Sequence, residues 1–173
     1  GGGGHRRAGD AAECLPLGGR RSASCASADW PSRRALTGGD DGALRVWDLE
    51  RLEVARTMRA YAGQILCLAV DWALQRAVSG GQHGCLHVWD VADGKCVEEL
   101  RGHAAPVSCV AADWASHRAL SGGQDRLLLL WHLGRPRRPA LELRGHGAAV
   151  LCCALDWPHR RALSGAQDAE LVL

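Results

Sequence analysis

The chain has 173 residues, of which 47% are hydrophobic, and 21 basic against 19 acidic side chains leave a net charge of +2. That length is enough for a domain with a sizeable core. The near balance of charge supplies no strong field for nucleic acid or an anionic membrane, and no apolar run approaches the roughly 20 residues of a spanning helix.

Residues 1–21 form a Gly- and Arg-rich leader with little to bury, and are expected to be disordered. The exception is Cys14–Leu17, in the register of Val97–Leu100 and Leu141–Leu143 of later units. It is read as a short edge strand, limited to that role by Pro16.

From residue 22 the chain repeats itself. Trp30, Trp72, Trp114 and Trp157 are spaced by 42, 42 and 43 residues, as are Cys25, Cys67, Cys109 and Cys152. Trp47, Trp89 and Trp131 form a second series at 42 and 42. The turn Thr37–Asp41 (Thr-Gly-Gly-Asp-Asp) returns at Ser79–His83, Ser121–Asp125 and Ser164–Asp168. A period of this size signals a propeller, solenoid or array, in which one unit cannot bury its own apolar face. The units span about 22–61, 62–103, 104–146 and 147–173.

Within each unit, short alternating stretches separated by turn residues predict strands and an all-β fold. In the second unit these are Ile65–Val70, Arg76–Ser79, Cys85–Trp89 and Cys96–Leu100. Along the third strand Leu44 and Val46, Leu86 and Val88, Leu128 and Leu130, and Leu171 and Leu173 share one face. The other face begins polar, with Arg45 and His87, and becomes apolar, with Leu129 and Val172. Asp93-Gly94 marks a tight turn, replaced in the third unit by the basic, proline-stiffened loop Gly134–Pro139.

Four strands per unit of about 42 residues, with Gly102-His103 and Gly145-His146 before and Trp47-Asp48 and Trp89-Asp90 after, resemble the WD-repeat (β-transducin-like) family. The resemblance covers residues 22–173 and implies a partial β-propeller of about four blades of four-stranded antiparallel sheet. It also implies that each blade takes its fourth strand from the stretch ahead of the next Gly-His. Three departures stand out: His132 follows Trp131 in place of Asp, Tyr61 takes the place of a His, and His83 takes the place of a turn Asp.

His103, Ser121 and Asp125 have the residue types of a hydrolase triad. The resemblance implies another role, a hydrogen-bonded tetrad of His103, Ser121, Asp125 and Trp131 that ties a blade together, with His146, Ser164 and Asp168 as its counterpart. The indole only donates, the carboxylate only accepts, and His and Ser bridge them. A serine on a regular strand also lacks the exposed turn of a nucleophile elbow. In the second unit, Tyr61 and His83 either bond to each other or stand exposed. The four Asp-Trp-x-x-x-Arg stretches read as hairpins with Asp facing Arg. Their tryptophans either fill the space between blades or offer rings to a partner.

Four of the eight cysteines recur at one strand position. They read as small buried hydrophobes of a reducing compartment, with pairing between stacked neighbours as the alternative. No Cys-x-x-Cys, His-Glu-x-x-His or phosphate-binding glycine loop occurs, so no metal or cofactor is expected.

The last unit stops within its third strand, and four units fall short of the roughly seven blades such propellers commonly use. The expectation is a segment of a longer protein; a ring closed by Cys14–Leu17 and a dimer of two arcs are alternatives. The resemblance implies a non-catalytic, intracellular scaffold that binds proteins or peptides, not nucleic acid or membrane, and can self-associate through open blade edges. The other class is a docking propeller attached to a catalytic domain, such as a kinase, outside residues 1–173. Partner contacts are expected at Asp40, Tyr61, Gln64, Gln82, His83, Gln124 and Gln167, against the alternative that the glutamines are solvated turn residues.

Overall fold

The computed structural model describes residues 22–59, 63–134 and 139–173. The Cys14–Leu17 strand, Tyr61 and most of the basic loop after Gly134 lie outside them. The described residues form four antiparallel sheets and no helix. The first sheet holds β1 (Ala23–Asp29), β2 (Arg34–Gly39), β3 (Ala43–Asp48) and β4 (Glu53–Arg59). The second holds β5 (Ile65–Asp71), β6 (Arg76–Gly81), β7 (Cys85–Asp90) and β8 (Lys95–Arg101). The third holds β9 (Val107–Asp113), β10 (Arg118–Gly123), β11 (Leu127–His132) and β12 (Leu141–Arg144). The fourth holds β13 (Val150–Asp156), β14 (Arg161–Ala166) and β15 (Leu171–Val172). Each sheet is a simple meander, and the first strands of successive sheets pack against one another.

Turn chemistry sets the meander. After each Asp-Trp the residue before Arg takes a left-handed conformation: Arg33 (φ 51°), Gln75 (52°), His117 (54°) and Arg160 (53°). The aspartate anchors the turn, accepting from the Leu74 amide on Asp71 at 2.9 Å and from the Ala115 amide on Asp113 at 3.0 Å. The second turn also needs a positive φ. Gly42 and Gly84 supply it without strain, whereas Arg126 and Ala169 adopt it with a Cβ.

Asp71 and Arg76 pair across the first hairpin, as do Asp29 and Arg34, Asp113 and Arg118, and Asp156 and Arg161. The Arg76 side chain nevertheless turns the other way, reaching Asp90 on β7 at 3.3 Å, because the Asp71 carboxylate is already engaged with its own turn.

The second and third sheets are covered on both faces, so the core is a series of seams between sheets. Leu36, Leu44, Val46 and Met58 of the first sheet meet Ile65, Ala77, Trp89 and Val91 of the second. Val78, Leu86, Val88 and Leu100 then meet Val107, Ala119, Leu129 and Trp131. Cys109, Leu120 and Leu128 meet Val150, with Cys153 and Leu155 beside them. On the fourth sheet, Leu163 and Leu171, which repeat Leu120 and Leu128, are exposed.

Covering on both faces of the second sheet also buries His87, and Arg45, at the same place in the first sheet, is buried as well. Arg45 is held by Asp41, whose carboxyl the guanidinium brings down to about 2. His87 is driven down to about 4, first by burial, with Glu99 opposing and Arg101 assisting. Because its folded value lies below the reference value near 6.5, the unfolded chain takes up this proton first. Stability is therefore complete above about pH 6.5 and declines as pH falls toward 4. His87→Leu, which copies Leu129 of the third unit, should lose about 1–2 kcal/mol less than the parent between pH 7.5 and 5. Urea midpoints at the two pH values measure this; equal losses in both proteins would reject it.

Candidate functional site

Antiparallel order sends the chain back and forth between two ends. The Asp-Trp hairpins and the turns after β3, β7 and β11 lie at one end. The Gly-His connections and the turns between second and third strands lie at the other, and the tetrad residues come from there and from the adjoining strands.

In the third sheet the Trp131 indole N–H donates to Ser121 Oγ at 2.8 Å, and Ser121 Oγ lies 2.8 Å from His103 Nε2. His103 Nδ1 lies 2.9 and 3.0 Å from the two oxygens of Asp125. Counting protons fixes the direction. The indole gives to the hydroxyl, the hydroxyl to Nε2, and Nδ1–H to the carboxylate, so the ring is neutral. Burial lowers the His103 pKa despite the Asp125 charge, in keeping with that state. The Ala104 and Leu127 amides also donate to Asp125, which fastens both loops to the blade. The order of bonds matches a hydrolase triad, but Ser121 is 0% exposed and its oxygen already receives the indole N–H. That hydroxyl has no approach to a substrate carbonyl.

The fourth sheet brings His146, Ser164 and Asp168 together in the same order. His146 Nε2 is 2.8 Å from Ser164 Oγ, and Nδ1 is 3.2 Å from one Asp168 oxygen. The looser contact has a local cause. A Cβ on Gly123 would sit 2.6 Å from both His103 Nδ1 and an Asp125 oxygen, and the fourth unit carries Ala166 at that place. His146, Asp168 and Glu170 also come within ligand distance of one another, but both His146 nitrogens are committed to Asp168 and Ser164. The first two sheets keep the indole–hydroxyl bond, Trp47 to Thr37 at 2.9 Å and Trp89 to Ser79 at 2.8 Å.

The candidate contact residues form a series at the Gly-His end. The amides of Asp40, Gln82, Gln124 and Gln167 donate to the carbonyls of Ser22, Gln64, Pro106 and Ala149, at 3.2, 3.0, 2.9 and 3.0 Å. Each therefore sits beside the start of a first strand, with its side chain exposed. Gln64 is half-buried and donates to Ser24 across the seam at 3.0 Å. His83 is exposed and covers Gly63, where a Cβ would lie 2.4 Å from its Nε2.

At the opposite end, Trp72 donates to Ser27 of the preceding sheet at 3.3 Å and packs on the first seam, whereas Trp30 is 77% exposed. Arg118 stacks over Trp157 of the next sheet, 4.0 Å from the ring centroid. Its counterpart Arg76 instead pairs with Asp90; the third unit has His132 there and offers Arg118 no carboxylate. The seven described cysteines, Cys152 and Cys109 included, are free thiols. Burial pushes Cys25 up to about 11 and raises Cys67 as well.

Three- and four-stranded meanders stacked through their first strands, with a buried Trp–Ser–His–Asp chain in the third, define the blades of a β-propeller segment. Residues 94–132 match the family model described as WD domain, G-beta repeat, and the four sheets form a partial β-propeller. A chain of the solved structure titled "Crystal Structure of Mitotic Checkpoint Complex" is similar in fold, with a TM-score of 0.76 at 22% identity. The similarity takes in 86% of this chain but 45% of that one, so this chain spans less than half of its neighbour's length. No curated protein matches the sequence.

Proposed function

We propose that the chain is a non-catalytic scaffold that binds other proteins or peptides through the rim at its Gly-His end. The observation that carries this reading is the series Asp40, Gln82, Gln124 and Gln167. Each backbone is pinned to a first strand and each side chain is exposed. Such a rim presents polar groups from a fixed frame, which suits recognition of a protein surface. Three of the four are amides, without the positive field a nucleic-acid backbone needs. Gln64 and His83 belong to the same rim in this reading, Tyr61 lying outside the described residues, and the similar chain comes from a protein assembly. A second contact, with another copy of the chain, is favoured by the exposed Leu163 and Leu171 on the fourth sheet.

A photo-crosslinking residue placed at Gln82 or Gln124 should give protein adducts in cells. The same group at Thr57, exposed on an outer strand, should give few. Equal labelling from all three positions would remove the support for a binding rim.

A further inference from the structure

The far end of the propeller holds a cavity that the rim does not use. First strands β5, β9 and β13 lie side by side, so the Asp-Trp turns that close them come together at one mouth. The cavity there has a volume of about 740 Å³ and is lined by Asp71, Trp72, Asp113, Trp114, Asp156 and Trp157. Every other lining residue is apolar, and none is Lys, Arg or His.

Three carboxylates and three indoles on an otherwise apolar wall select by charge. An anion meets repulsion from Asp71, Asp113 and Asp156. A neutral apolar group would take those carboxylates out of water without a new partner to replace it. A cation with an apolar stem satisfies both parts, since indole faces attract positive charge and carboxylates pair with it. The wall is also held in place. Asp71 and Asp113 accept amides of their own turns, and Trp72 is tied to Ser27. Stacking of Arg118 on Trp157 shows that a guanidinium fits against these rings.

We propose that this mouth binds an arginine side chain of a partner peptide, at the end of the propeller opposite the Gly-His loops. The volume lies within the range of ordinary ligand pockets and exceeds what one guanidinium needs, leaving room for flanking peptide.

The test uses the full 173-residue chain with 15N-labelled indoles, titrated with acetyl-Gly-Arg-Gly-Arg-Gly-amide and with its citrulline counterpart, which keeps the shape and removes the charge. The arginine peptide should shift the indole signals of Trp72, Trp114 and Trp157 saturably, and those of Trp47, Trp89 and Trp131 little. Citrulline should weaken binding about tenfold, as should Asp71→Asn, Asp113→Asn and Asp156→Asn combined, which keep the turn acceptors. Trp114→Leu should abolish the shifts; the Asn variant keeps the question answerable if Trp114→Leu does not fold. Equal binding of the two peptides identifies an uncharged groove and overturns the proposal. So do shifts confined to the Gly-His end, or no saturable shift at all.

Discussion

Asp125→Ala should lower stability by about 1–3 kcal/mol, because it strands the buried Nδ1–H of His103 and two loop amides. For a chain of this size that is roughly 2–4 °C of melting temperature per kcal/mol. Asp168→Ala should cost less than Asp125→Ala. Only one of its oxygens reaches His146, at 3.2 Å, and Ala166 has already loosened the contact. Denaturant midpoints of the two variants measure the difference. An unchanged midpoint for Asp125→Ala would mean that the hydrogen-bonded chain contributes no net stability to the third blade.

Gly122→Ala should cost about 1–3 kcal/mol, the usual range for overpacking, while Gly165→Ala should be nearly neutral. A Cβ at Gly122 would lie 2.5 Å from Val150 Cγ1 and 2.7 Å from Cys109 Sγ. The same clash recurs along the chain, from Gly38 to Ile65 at 2.6 Å and from Gly80 to Val107 at 2.9 Å. In each case the obstacle includes the first residue of the following blade's inner strand. Gly165 meets only Cys152 and Leu171 of its own sheet, at 3.1 and 3.3 Å. Thermal melts of the two single variants decide the matter. Equal losses would show that these glycines act through the backbone alone and not by letting blades approach.

The blades were legible in the sequence because Trp, Cys and the Ser-Gly-Gly turn recur at a fixed interval. Strand ends came out within about two residues, since Gly and Asp mark the turns. The fate of Arg45 and His87 was not legible. Alternation along one strand cannot tell a face covered by a neighbouring sheet from a face in water. The path of Arg118 was half legible. His132 in place of Asp was visible, but a ring 39 residues away, Trp157, becomes its partner only through the seam between blades. The converging Asp-Trp turns were seen singly, whereas the cavity depends on three first strands lying side by side. Gln82, Gln124 and Gln167 are proposed as contacts from their place at the end of the Ser-Gly-Gly (or Ser-Gly-Ala) turn. Nothing in the sequence distinguished a glutamine that binds from one that is only solvated.

Each of the three seams is shared by two consecutive sheets, and no cluster spans three. Unfolding is thereby coupled from neighbour to neighbour, as in a row of dominoes. Among the described residues the second and third blades each have two seams to lose, and the first and fourth have one each. Opening should begin at the first and fourth blades and spread inward, so slow amide exchange belongs to β6 and β10. A ligand that bridged two blades would do more than add its own contacts: it would join two cooperative units into one.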